Sequence, residues 1–367
     1  MVEAVLAKFN IRLDLDQENL ARHQLLLVIF LLQALTVWGL LTFNGLSDSL
    51  SLSLYAGPMY MALGAIIFAK IVSYLVRFSA YEKEVRNKSR LVADFRESWL
   101  NSDYLLAFLV PILFLPPFIS LFSSLKTVIP EIQPFGLDQT FASLDRWLHF
   151  GFDPWVITHT LFSGALAAGI LDFCYKLWFV LMFVFVLWQV VNVSLGHKRA
   201  QFLCAFLLVW FVLGNLMAVM MSSAGPCYYA VVLPGNDFYA PLMDRLGLYY
   251  DELKAGGGFF QLQTRDLQQQ LLAYYQNGAM GMGSGISAMP SLHVAVAMLL
   301  YLSAREMNRF AGFFFLGFLL VIQVGSVHLG WHYAVDGYFS IIATWLIWNF
   351  SGWLVGYYAK AKGAKAA

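Results

Sequence analysis

Eight apolar stretches, each close to the length that crosses a lipid bilayer, constrain this chain more than any other feature. They cover residues 25–43, 54–76, 104–125, 171–194, 201–221, 290–304, 310–329 and 332–357. A membrane-crossing helix needs roughly 20 mostly apolar residues, because the hydrocarbon core is about 30 Å thick. Composition agrees: 60% of the 367 residues are hydrophobic and only 12% are charged, against roughly 25% charged in a soluble domain. The expected architecture is an all-α polytopic membrane protein with about eight transmembrane helices. The sixth stretch is short if it begins at Pro290, so its start is expected inside the polar motif around it. The eighth is long enough to tilt or to extend past the hydrocarbon. An Ala- and Gly-rich segment, 157–170, reads as a re-entrant or interfacial helix.

The cations orient this map. Eight spans put both termini on one side, and that side collects 16 of the 23 Lys and Arg residues, against 5 on the other. The positive-inside bias therefore predicts cytoplasmic termini, with no cleavable signal in the first 20 residues. Two long external loops follow, 126–156 and 222–289. The stretch from Phe141 to Leu148 is amphipathic. Between Gln261 and Gln276, Leu262, Leu267, Leu271 and Leu272 recur at roughly helical spacing. Both are expected to lie as helices on the outer leaflet, with Gly256–Gly258 as a break before the second. The mixed-charge segment 77–103 reads as a solvated cytoplasmic helix. A net charge of +1 argues against a nucleic-acid partner, which calls for a basic face. Cys174, Cys204 and Cys227 are too scattered for a disulfide framework and read as buried thiols.

Two short motifs sit at the external mouths of the last spans: Ser287-Ala288-Met289-Pro290-Ser291-Leu292-His293 and Gly330-Trp331-His332-Tyr333-Ala334-Val335-Asp336-Gly337. Ionisable groups at membrane depth are costly and mark function. His332 and Asp336 are four apart, so at a helix start they share a face. Asp336 can then fix the imidazole tautomer and leave the other nitrogen as a nucleophile. His293, on another helix, can protonate a leaving oxygen, an assistance typically worth about 100- to 10,000-fold. The set suits phosphoryl transfer through a phosphohistidine and requires neither metal nor cofactor. His328, His332 and Asp336 also form an H-x-x-x-H-x-x-x-D face that could hold a metal, the weaker reading. His23, His149, His159 and His197 read as packing residues.

These motifs resemble the second and third signatures of the type 2 phosphatidic acid phosphatase superfamily. Pro290-Ser291-Leu292-His293 stands where the family usually has P-S-G-H, and His332 and Asp336 match the histidine and aspartate of its S-R-x5-H-x3-D. The P-S-L-H and H-Y-x-x-D variants are similar to the branch containing inositol phosphorylceramide synthases. Ser222 to Tyr229 falls where that branch has its Pro-aromatic first motif. The resemblance covers about residues 100–357. It implies a six-helix phosphatase-like core, His332 as phosphoryl acceptor, Asp336 as its orienting partner and His293 as general acid. It implies substrate contacts from Ser291, Ser287, Gly225, Pro226 and Tyr228. It divides the chain into a two-span segment (1–100), a catalytic core (101–357) and a cytoplasmic tail (358–367).

Two departures stand out. The first motif lacks its lysine and arginine, and the third-motif arginine falls on Ser326. Lys176 is the expected replacement, with Arg146 and a protonated His328 as further candidates. The expected activity is transfer of a phospho-head group from a phospholipid donor to a lipid alcohol acceptor at the outer face of a membrane such as the bacterial inner membrane. A lipid phosphate phosphatase would use the same residues. A transporter would instead line the bundle midplane with charges.

Overall fold

The computed structural model describes residues 17–81, 102–192, 196–235 and 238–363. Most of the expected cytoplasmic helix 77–103 lies outside them. The described chain is helical, without a strand among the described residues. The helices used below are α1 (Gln17–Phe43), α2 (Ala56–Tyr81), α3 (Ser102–Thr127), α4 (Asp138–Leu148), α5 (Pro154–Leu161) and α6 (Ala165–Val191). They continue with α7 (Gly196–Met220), α8 (Ala240–Gly256), α9 (Thr264–Gln276), α10 (Leu292–Arg305), α11 (Arg309–His328) and α12 (Ala334–Gly363).

Among the described residues, seven helices are long and apolar enough to cross a membrane: α1, α2, α3, α6, α7, α11 and α12. Their outward faces carry exposed Leu35, Phe68, Phe313 and Trp353, apolar groups that need lipid rather than water around them. The protein is an all-α, polytopic integral membrane protein.

The sixth expected span is shorter than the other seven. α10 has 14 residues, so it rises only roughly 21 Å at 1.5 Å per residue. Its start is pinned by Ser291, whose extended backbone and side-chain oxygen cap the Val294 N–H, directly after Pro290. Residues Val294 to Leu300 are almost wholly buried, because α11 and α12 pack along α10 and α6 and α7 also touch it. α10 is thus a core helix of the bundle. Segment 157–170 is also divided: α5 ends at Leu161, Gly164 turns with φ +91°, and residues from Ala165 onward begin α6. The long loops 126–156 and 222–289 carry helices where expected, α4 and α9, and also α8. α8 stops at Gly257 with φ +59°, inside the glycine run expected to break the chain.

Polar contacts tie the bundle together at depth. In α7, residues Val209–Met217 widen into a π-helix, a distortion common at functional sites. It turns buried Asn215 toward α1 and α3. There Gln33 Nε2 donates to Asn215 Oδ1 (2.9 Å), and Asn215 Nδ2 donates to the Phe122 carbonyl (3.4 Å). In hydrocarbon such interhelical bonds satisfy groups with no water to turn to. Buried Arg199 donates to the carbonyls of Gln189 and Val190 (2.8 and 3.1 Å), closing the C-terminus of α6 as a cation can.

Candidate active site

Three segments distant in sequence are stitched together by their backbones above α10. In the 222–229 loop, the Ser223 carbonyl accepts from the Ala288 N–H (2.9 Å) and Cys227 N–H donates to the Gly330 carbonyl (2.9 Å). Ser223 Oγ accepts from the Met289 N–H (3.2 Å). The Trp331 and His332 N–H groups both donate to the Ser326 carbonyl (3.0 and 3.1 Å). That turn carries the chain from α11 into α12 and presents His332 at its rim.

The histidine–carboxylate pair forms as its spacing predicts. His332 Nδ1 lies 3.2 Å from Asp336 Oδ2, and the same oxygen accepts the Tyr333 N–H (3.1 Å). Asp336 is fully buried and His332 nearly so. With Nδ1 held, Nε2 is the nitrogen left for chemistry, and it has no hydrogen-bond partner among the described residues. His293 stands opposite, its ring centroid 6.3 Å from that of His332. Tyr175 and Trp178 flank the His293 ring, both at 4.3 Å, and Trp178 Nε1 donates to the His293 carbonyl (2.9 Å). The ring is held by packing while its nitrogens stay unbonded among the described residues.

Both histidines line one cavity of about 670 Å³. Its deep wall is apolar and aromatic, including Phe122, Trp178, Met182, Phe206 and Trp210, with Gly214 of the π-helical stretch. A Cβ at Gly214 would come within 2.7 Å of the Phe122 ring and 3.0 Å of Leu292, so the glycine lets α7 approach α3 and α10 there. The mouth is more polar, with Lys126, Lys176, Gln263, Asp266 and Ser287. The cavity thus pairs a largely apolar wall with a few polar groups and the two histidines.

The other residues expected at the site divide. Ser287 and Tyr228 line the cavity, and the Tyr228 hydroxyl donates to the Gln268 carbonyl (3.0 Å). Ser291 is fully buried as the cap of α10, its N–H directed at the Asp336 carbonyl (3.5 Å); it supports the site from behind rather than lining it. Gly225 and Pro226 do not line the cavity either; Gly225 lies against the Trp331 carbonyl and Pro226 is buried. Lys176 reaches the mouth, but its ammonium is bonded to Asp172 (2.6 Å) and Gln263 (3.0 Å). Arg146 is held by Asp153 in a two-bond fork (2.8 and 3.0 Å). His328 does not line the cavity: it is fully buried and stacks on His159, centroids 3.7 Å apart. Among the described residues, no group of three or more His, Cys, Asp or Glu side chains is arranged to hold a metal.

Two carboxylates on α4 were not singled out in the sequence, yet they hold the site together. Asp138 accepts the N–H groups of Ala224 (3.0 Å) and Gly225 (2.8 Å) and the Tyr333 hydroxyl (2.8 Å). Asp145, two turns on, accepts the N–H groups of Ala334 (2.8 Å) and Val335 (2.9 Å). These are among the unbonded first amides of α12, where a negative charge also meets the helix dipole. One face of α4 therefore clamps both the 222–229 loop and the His332 turn. The signal was available: two acids seven apart on a helix share a face. In the sequence Asp145 stands only as one residue of the amphipathic stretch from Phe141 to Leu148.

Burial raises Asp145 to about 7 despite those two bonds, and it raises Asp138 in the same direction. A carboxyl whose folded pKa exceeds its unfolded value binds its proton more tightly when folded. Its contribution is therefore most favourable below about pH 4 and declines as pH rises to about 7. We expect Asp145→Asn to flatten that part of the pH–stability curve, read as unfolding temperature against pH. Asp145→Ala leaves two buried amides without acceptors and should cost about 2–5 kcal/mol; an unchanged unfolding temperature would remove the clamp role.

Residues 139–350, more than half of the chain, match the family model described as the PAP2 superfamily. The match includes the 222–229 loop, His293, His332 and Asp336. No curated protein and no solved structure matches the chain. The spatial convergence of the matched segments and the sequence match agree: the chain belongs to the PAP2 superfamily and is a lipid phosphatase or phosphotransferase.

Proposed function

We propose that the protein transfers a phospho-head group from a phospholipid to a lipid alcohol through a phosphohistidine on His332. The observation that carries this reading is the His332 ring itself. Its Nδ1 is tied to buried Asp336, and its Nε2 faces, with His293, a cavity whose deep wall is apolar.

In the first step the Nε2 lone pair attacks the donor's phosphorus. The phosphorus–oxygen bond to the diacylglycerol breaks, and the leaving oxygen takes a proton from His293. In the second step the acceptor's hydroxyl oxygen attacks the phosphorus, its proton passes to His293, and the phosphorus–Nε2 bond breaks. Asp336 stabilises the positive charge that the imidazole carries between the steps, as an orienting carboxylate does. An apolar wall disfavours water relative to a lipid alcohol, which favours transfer over hydrolysis.

The P-S-L-H and H-Y-x-x-D variants support the inositol phosphorylceramide synthase-like branch, with a sphingolipid-type alcohol as acceptor. The charge bias of the loops supports cytoplasmic termini and a site on the external or luminal face. On this reading residues 101–357 are the catalytic core. Residues 1–100 add two spans, of which α1 packs on α3, α7 and α12, and 358–367 form a tail.

Mass spectrometry of products tests the proposal. Purified protein is given mixed phospholipids with diacylglycerol and ceramide. A new phospholipid together with the donor's diacylglycerol is expected. Release of phosphate with no new lipid would replace the transferase by a phosphatase.

A further inference from the structure

One cation at the cavity has no ion-pair partner among the described residues. Lys126, in the last turn of α3, lines the same cavity as His293 and His332, close enough to act electrostatically on the His293 ring. Among the described residues its ammonium makes no hydrogen bond and no ion pair. The other cation at the cavity, Lys176, is already bonded to Asp172 and Gln263. Asp266, the acid at the mouth, accepts the Tyr250 hydroxyl (2.9 Å). An ammonium removed from bulk water without a partner is costly, and an anionic ligand offsets that cost.

Its place is built rather than incidental. Gly285, at φ +92°, lies so close that a Cβ there would come within 2.6 Å of the Lys126 carbonyl oxygen. Thr127 Oγ1 and Ser284 Oγ are 3.0 Å apart, and the Gly283 N–H donates to the Tyr55 hydroxyl (2.8 Å), itself 3.3 Å from Ser123 Oγ. The segment pressed on the end of α3 runs straight on into Ser287 and His293. The lysine and the histidine are therefore positioned by the same nine residues of chain, 285–293. Lys126 lies outside the family match at 139–350, so the motifs alone do not reveal it.

We propose that Lys126 is the cation that holds a phosphoryl oxygen of the lipid substrate against His293 and His332. The assignment rests on the function proposed above and names a substrate contact for it. As a compact point charge, an ammonium can hold a phosphate oxygen without the planar fork of an arginine.

Inorganic phosphate is the first probe, added to the purified full-length chain in detergent, with binding read by the rise in unfolding temperature. Wild type and Lys126→Arg are expected to bind. Lys126→Met should bind about 10- to 100-fold more weakly, the worth of one charged hydrogen bond. Should Lys126→Met not fold, Lys126→Gln answers the same question. Equal binding by the neutral variant and wild type would overturn the assignment. A short-chain phospholipid should compete with phosphate; failure to compete would assign the position to free phosphate and overturn the lipid contact. Turnover separates this claim from the function. Lipid transfer with unchanged kcat/KM in Lys126→Met would overturn the Lys126 role alone. Lysine-dependent binding of phosphate and phospholipid without turnover of any lipid would overturn the transferase and support Lys126 as the phosphate contact.

Discussion

Replacing His332 by alanine or glutamine lowers lipid turnover by about 10,000-fold or more, the scale of loss when a covalent catalyst is removed. The two substitutions separate chemistry from structure. Alanine deletes the group that meets Asp336 Oδ2 at 3.2 Å and leaves a buried carboxylate held by the Tyr333 N–H alone, so part of its effect falls on stability. Glutamine can still donate toward Asp336 but has no ring nitrogen to accept a phosphoryl group. His332→Gln should therefore unfold near the wild-type temperature while remaining inactive. Trapping of labelled phosphate on the wild-type chain, acid-labile as a phosphoramidate is, and absent from both variants, checks the covalent step directly. Turnover above about 1% of wild type in a folded His332→Gln protein would rule out His332 as the acceptor.

Gly225→Ala is the second large effect, and it acts without touching a reacting atom. Gly225 has φ +92°, a region that L side chains rarely adopt. An added Cβ would lie 2.6 Å from the Trp331 carbonyl oxygen. The obstacle is backbone, and it is the residue before His332, so it cannot move aside without moving the nucleophile. The left-handed strain alone costs about 1–3 kcal/mol. With the clash added, we expect a loss of about 3–5 kcal/mol in stability or an equivalent displacement of the His332 turn. Gly256→Ala is the matched control: it lies in helix α8 and a Cβ there meets nothing within 4 Å. It should change stability by less than about 1 kcal/mol, since alanine also favours helix. Similar behaviour of the two variants, in unfolding temperature and turnover, would show that the contact between the 222–229 loop and the His332 turn does not matter.

The all-helical membrane fold was legible in the sequence; the extent and enclosure of single helices were less so. Apolar runs report how greasy a segment is, and that sufficed for seven helices. It did not show that α10 is enclosed, because a core helix packed by α6, α7, α11 and α12 is as apolar as one facing lipid. Nor could composition show that Gly164 turns the chain before α6, since a turn glycine and a helical glycine look alike in a sequence. The site divides in a similar way. The His332–Asp336 pair was legible because four residues on a helix is a distance, and the structure places the two side chains together. His328 has the same spacing on the other side, but it belongs to the end of α11 while His332 follows a turn, so the helical inference does not extend across Gly330.

The cations show why the remainder was hidden. Lys176 has an acid, Asp172, one helical turn before it and pairs with it, a spacing readable in the sequence. Lys126 has none three or four residues away, and only packing shows that it lines the cavity. Asp138 and Asp145 were likewise ordinary acids until the chain brought residues 224–225 and 333–335 onto one face of α4. What the sequence determined by itself was local: which segments are apolar enough for lipid, and which residues a helical turn must bring together. What the tertiary structure decided was which charges find a partner and which remain free for a substrate. The partners of Asp138 and Asp145 come from segments 86 to 195 residues away, and no local spacing encodes that distance.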